Sequence, residues 1–93
     1  MTDWIAKTAT GSIYKNDGGS LFIRDDDNED KLVMTEFSLR NIDPRLADSW
    51  DSMNWAYLAG LDPNERPEKG KLMFLSCDNT WRFSSLVVEV DTL

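Results

Sequence analysis

Lys71-Leu72-Met73-Phe74-Leu75-Ser76-Cys77-Asp78-Asn79-Thr80-Trp81-Arg82-Phe83-Ser84-Ser85-Leu86-Val87-Val88-Glu89-Val90 is the stretch on which the fold turns. In an extended segment Leu72, Phe74 and Ser76 point one way while Met73, Leu75 and Cys77 point the other. Both faces therefore carry apolar side chains, as an interior strand requires. Asp78-Asn79 is a turn signal, after which Trp81 and Phe83 alternate with Arg82. The apolar set then changes phase to Leu86, Val88 and Val90 across Ser84-Ser85, and a phase change of one residue predicts a β-bulge there. The stretch is rich in architecture and poor in chemistry, since it holds no catalytic, metal or phosphate motif.

The chain's 93 residues suffice for one domain, residues 1–93, with a modest core. An apolar fraction of 41% that includes four Trp, four Phe and two Tyr is that of a folded chain. No run resembles a signal peptide or approaches the roughly 20 apolar residues of a membrane-spanning helix. The expectation is a soluble protein of the cytoplasm, or of the host cytoplasm if phage-encoded, without a membrane partner. Cys77 is the only cysteine and falls inside the predicted central strand, where a buried structural thiol is expected.

With no histidine and one cysteine, the usual zinc ligand sets, Ser-His-Asp machinery and Cys-His nucleophiles are excluded within one chain. No cofactor motif is present. A formal charge of −7 argues against direct nucleic-acid binding, which needs Lys and Arg to neutralise phosphates. The charge is uneven: residues 25–62 hold three bases and ten acids, while the two flanks nearly balance.

Near the start, Trp4-Ile5-Ala6 suggests an edge strand from Asp3 to Lys7. Ser12 to Arg24 reads as a hairpin around Asn16-Asp17-Gly18-Gly19, residues that tolerate positive φ. Asp25-Asp26-Asp27-Asn28-Glu29-Asp30 follows, five carboxylates in six residues. It partly fits a calcium loop, but Asp30 stands where the turn glycine belongs. A solvated loop and an acidic contact surface are the other readings. Lys31 to Leu39 reads as one strand, with Leu32 and Met34 sharing a face.

From Asp43 the period changes. Asp43 can cap, Pro44 suits a first helical position, and Leu46, Trp50, Met53 and Tyr57 draw an apolar stripe that Gly60 would end. Trp55-Ala56-Tyr57-Leu58 could instead be a strand after a shorter helix. On the helical reading Asp48 and Asp51 lie on the solvent face and Trp55 falls off the stripe, placed to anchor a partner. The assembled expectation is an α+β fold: a small antiparallel curled sheet or partly open barrel of five or six strands with one inserted helix.

Gly11-Ser12-Ile13-Tyr14 at a strand start, with Gly70-Lys71-Leu72 leading through Ser84-Ser85-Leu86-Val87 to a last apolar strand, resembles a group of small uncharacterised β-rich proteins encoded by bacteriophages and their hosts. The resemblance implies no activity and supplies no catalytic residues. It implies a phage setting, in which small acidic proteins act as inhibitors of host nucleases or defence systems.

Three classes of function stay open on these residues. The first is a non-enzymatic domain that occupies a basic, nucleic-acid-binding surface of a partner protein through Asp25, Asp26, Asp27, Glu29, Asp30, Asp48, Asp51 and Trp55. The second is an assembly subunit of a phage particle, or a homo-oligomer joined through sheet edges. The third is a carboxylate-based hydrolase, for which Glu36 and Glu89 are the strand-borne candidates. The first is the reading adopted, and it is not an enzyme.

Overall fold

The computed structural model describes residues 3–25, 29–45, 57–58 and 60–92. Eight strands run in order: β1 (Trp4–Thr8), β2 (Ile13–Asp17), β3 (Ser20–Arg24), β4 (Lys31–Thr35), β5 (Ser38–Ile42), β6 (Leu72–Cys77), β7 (Thr80–Phe83) and β8 (Val87–Thr92). They form a five-stranded sheet, β4-β3-β2-β1-β8, and a three-stranded sheet, β5-β6-β7, with every pairing antiparallel.

The α+β expectation is therefore corrected to an all-β one, without a closed barrel. Among the described residues the only helical geometry is a turn at Pro44 and Arg45 and another at Tyr57 and Leu58. The stripe placed Tyr57 on the packing face, yet Tyr57 is exposed while Leu58 is buried against Ile42, Leu72 and Phe74. Leu46, Trp50 and Met53 lie outside the described residues. The start signal did mark a real turn, because the Arg45 amide donates to Asp43 Oδ1 at 2.9 Å across Pro44.

The hairpin follows from its glycines. Asp17 pairs with Ser20, leaving Gly18 and Gly19 as a two-residue turn with φ of 62° and 88°, the geometry that suits the right-handed twist of the flanking strands. The buried Asn16 accepts the Gly19 amide through Oδ1 at 3.2 Å, so this turn carries its own polar partner inside the core.

β6 is buried on both faces, as its composition requires. Met73 and Leu75 join Trp4, Ala6, Tyr14, Leu21, Ile23, Met34, Leu39 and Val87 in the main core between the sheets. Leu72 and Phe74 face away, into a second cluster with Ile42 and Leu58. Cys77 is only partly buried and donates its thiol to the Thr35 carbonyl at 2.9 Å.

Two corners tie the sheets together, and both depart from the expected elements. Lys31 to Leu39 is not one strand, because Glu36 adopts φ of 51° and turns the chain from β4 into β5. Its amide donates to Gly19 O at 3.0 Å, which pins the corner to the hairpin turn. At the other corner Ser84–Leu86 leave the strand, and the chain passes from the three-stranded sheet into β8. The bulge expected at Ser84-Ser85 is this corner instead, and a separate irregularity lies in β8: Lys7 pairs with Glu89 and Thr8 with Val87, so Val88 is an extra residue, exposed where Val87 is buried. A similar shift in β4 sets Leu21 opposite Met34 and Phe22 opposite Leu32, which turns Leu32 outward while Met34 stays buried. β1, expected at an edge, is interior between β2 and β8.

A non-glycine residue in the left-handed region costs about 1–2 kcal/mol. Glu36→Gly removes that cost and gives back part of it as unfolded-state entropy, so a net gain of about 0.5–1 kcal/mol is expected. A rise in the urea midpoint at unchanged slope checks it.

Candidate interaction surface

Arginines and carboxylates are distributed differently over this fold, whereas the five lysines, Lys7, Lys15, Lys31, Lys69 and Lys71, enter no ion pair among the described residues. Arg24 Nε lies 3.0 Å from Asp30 Oδ1, and Arg45 Nη2 lies 2.6 Å from Asp43 Oδ2. Arg40 Nε donates to the Leu61 carbonyl at 3.0 Å, and Arg66 Nη1 to Thr92 Oγ1 at 3.4 Å. Arg82 Nε donates to the Tyr14 hydroxyl at 3.2 Å, with its guanidinium 5.8 Å from the ring centroid. Every arginine is thus held against its own chain. Among the described residues Asp30 and Asp43 are the only carboxylates in an ion pair, and no described carboxylate is buried.

The expected contact residues divide as follows. Asp25, Glu29 and Asp30 are exposed. Asp25 Oδ1 accepts the Ser12 hydroxyl at 2.6 Å, which ties the start of the acidic run to the entry of β2. Asp26, Asp27, Asp48, Asp51 and Trp55 lie outside the described residues. Among the described residues no group of three or more Asp, Glu or Cys is placed to hold a metal ion.

Residue order hides a second acidic group. Gly18 N donates to Asp3 Oδ1 at 3.0 Å, beside Asp17, and the Glu36 amide is bonded to Gly19. Ser38 pairs with Ser76, so the β6–β7 turn with Asp78 lies next to the Glu36 corner. Asp3, Asp17, Glu36 and Asp78 thus collect at the hairpin-turn end of the sheets. Asp25, Glu29 and Asp30 lie at the far end of β3. Negative charge marks both ends, not the middle segment alone.

Asparagines organise the intervening loop. Asn41 Nδ2 donates to the Arg66 carbonyl at 3.2 Å, its Oδ1 accepts the Glu68 amide at 3.2 Å, and its own amide donates to Asn64 Oδ1 at 2.7 Å. This clasp lays residues 64–68 over the open edge of β5. Between the loop and β8 runs a groove of about 620 Å³ lined by Asn41, Arg66, Glu68, Val90 and Thr92. A second hollow of about 310 Å³ exposes Trp81 beside Arg40, Phe74 and Asp78. Glu36, which lies in the corner rather than on a strand, and Glu89 on β8, the candidates for acid catalysis, are both exposed and line neither.

With this geometry in view, the chain was compared with known proteins. It matches no family model, no curated protein and no solved structure. Among the described residues no helix is long and apolar enough to cross a membrane.

Asp43 titrates abnormally. The Arg45 side-chain hydrogen bond, followed by the Arg45 amide, lowers it from the ordinary 3.8 to about 2. A depressed carboxylate contributes stability above its unfolded value and loses it as pH falls through the folded one, here between 3.8 and about 2. Arg45 is highly exposed, so solvent screening keeps the contribution small. Carboxyl NMR should place the Asp43 midpoint at about 2, and Arg45→Gln should return it to the ordinary range.

Proposed function

We propose that this chain is a non-enzymatic protein-binding domain whose acidic surface occupies a basic, nucleic-acid-binding surface of a partner, acting as a phage-type inhibitor of a nuclease or defence enzyme. One observation carries the reading: each arginine is turned onto its own chain, while nearly all described carboxylates face solvent without a cation. A groove built for phosphates attracts such a surface at fast, salt-sensitive rates. The two acidic ends are separated by the length of β3, about 13–17 Å at the rise of an extended chain, which is within the span of several phosphates along a nucleic-acid strand.

The test is capture of a partner from bacterial lysate, followed by release with salt and with DNA. The expected partner is a nucleic-acid-binding protein displaced by competitor DNA, with affinity falling at least tenfold between about 0.05 and 0.2 M salt. Replacing Asp25, Asp26, Asp27, Glu29 and Asp30 by Asn or Gln should abolish capture. A complex indifferent to salt and DNA would sink the proposal and direct attention to the aromatic hollow around Trp81.

A further inference from the structure

The outer face of the five-stranded sheet is laid out in three rows across the strands. Asp91, Ile5, Lys15, Phe22 and Leu32 are successive cross-strand neighbours and form the middle row. Toward the hairpin turn the next row holds Asp17 and Ser20, with Asp3 beside them. On the other side the row holds Glu89, Lys7, Ile13 and Arg24. Side chains alternate along a strand, so these residues point away from the core formed by Trp4, Ala6, Tyr14, Leu21 and Ile23. Ile5, Ile13, Phe22 and Leu32 belong to neither core cluster, and Leu32 is 57% exposed.

This layout is self-complementary. Turned over about a two-fold axis along the middle row, a second copy sets its Asp3 over Lys7 and its Asp17 between Lys7 and Arg24. Ile5, Phe22 and Leu32 meet their own counterparts, and so does Asp91, a like-charge contact confined to the exposed edge strand β8. Lys15 lies close to the axis, and its flexible stem carries the ammonium one row along, toward Asp17 of the second copy. We propose that this sheet face is a homodimer interface, isologous and held by Ile5, Phe22 and Leu32 of the middle row together with reciprocal Asp3–Lys7 pairs, while Arg24 keeps its own Asp30.

Five strands at about 4.8 Å spacing and three rows at about 6.8 Å give roughly 400–500 Å² per copy, about half of a standard interface and the size of a weak, transient one. The dimer is accordingly weak, with a dissociation constant of about 10–300 μM. Each copy carries −7, so it forms best near 0.15 M salt, where a Debye length of about 8 Å screens the long-range repulsion but not pairs in contact. The proposal is independent of the acidic-surface reading.

Sedimentation equilibrium on the full chain, from about 10 to 500 μM, tests it. A monomer–dimer equilibrium is expected. Leu32→Glu, at an exposed position, should weaken it at least tenfold with the thermal midpoint preserved. Lys7→Glu should weaken it at least fivefold, and adding Asp3→Lys, the residue that faces it in the second copy, should restore it to within about threefold of wild type, which a general effect on folding would not do. A species that stays monomeric throughout, a Leu32→Glu variant that dimerises like wild type, or a double variant no better than Lys7→Glu overturns the proposal.

Discussion

Trp4→Ala will destabilise the fold by about 3–5 kcal/mol. Trp4 is 0% exposed at the start of β1, and its ring meets Phe37 edge-on at 6.2 Å and 85°. It sits where the hairpin, the Glu36 corner and β8 converge, opposite Asn16 and Thr92 in the two neighbouring strands. Deleting the indole removes its transfer energy and leaves a void that rigid strands on both sides cannot close. An edge-on aromatic contact worth about 0.5–1.5 kcal/mol goes with it. Small domains are stable by only about 5–15 kcal/mol, so the variant should be partly unfolded at modest urea. Urea unfolding followed by far-UV circular dichroism measures this, and a loss under about 1.5 kcal/mol would mean that Trp4 is less enclosed than the fold indicates.

Ser84→Ala will cost about 1–3 kcal/mol, a large effect for one oxygen atom. Ser84 is 6% exposed at the corner where the chain leaves the three-stranded sheet. Its hydroxyl accepts the Met73 amide at 2.9 Å and donates to the Ser85 carbonyl at 2.8 Å. The Ser84 amide in turn donates to Met73 O at 2.9 Å, so this one residue satisfies both backbone groups of Met73 where regular pairing stops. Alanine leaves the Met73 amide buried without an acceptor. Ser84→Thr keeps the hydroxyl and should recover most of the loss, provided its methyl fits. Hydrogen exchange should show faster opening of the Met73 amide in Ser84→Ala than in wild type.

Both positions bear on how far the fold was readable from residues alone. The Gly18-Gly19 hairpin and the double-faced β6 were legible, because each depends on a local rule: positive φ at a two-residue turn, and apolar side chains on both faces of an interior strand. The Glu36 corner was not. A glutamate in the left-handed region gives no glycine-like signal, so Lys31 to Leu39 looked continuous. Leu32 and Met34 were given one face because an extra residue in β4 breaks the alternation without any change in composition. β1 reads as an edge strand because its second neighbour, β8, is about 80 residues away in sequence. The expected inserted helix gives way to an all-β chain: the stripe places Tyr57 inward, but Leu58 is the buried residue.

The candidate surface was legible in part. The run from Asp25 to Asp30 announced itself, and Asp25 and Asp30 prove to be tied to Ser12 and Arg24. The group at the opposite end was invisible, since Asp3, Asp17, Glu36 and Asp78 are scattered through the sequence and meet only when turns from both sheets reach one place. The arginines were equally opaque. Spacing gave no hint that Arg82 would lie against Tyr14 or that Arg40 would reach the Leu61 carbonyl.

The pairing of β1 with β8 has a consequence for how the protein is made. β1 leaves the ribosome about 80 residues before β8, so one side of β1 waits unpaired while all the intervening strands are made. Closing so long a loop defers the reward for that pairing to the end, and folding of such non-local β topologies takes milliseconds to seconds. Until then Trp4 and Ala6 stand on an open strand edge, where a neighbouring nascent chain can pair in place of β8. Yield of folded protein should therefore depend on expression rate more steeply than its equilibrium stability suggests.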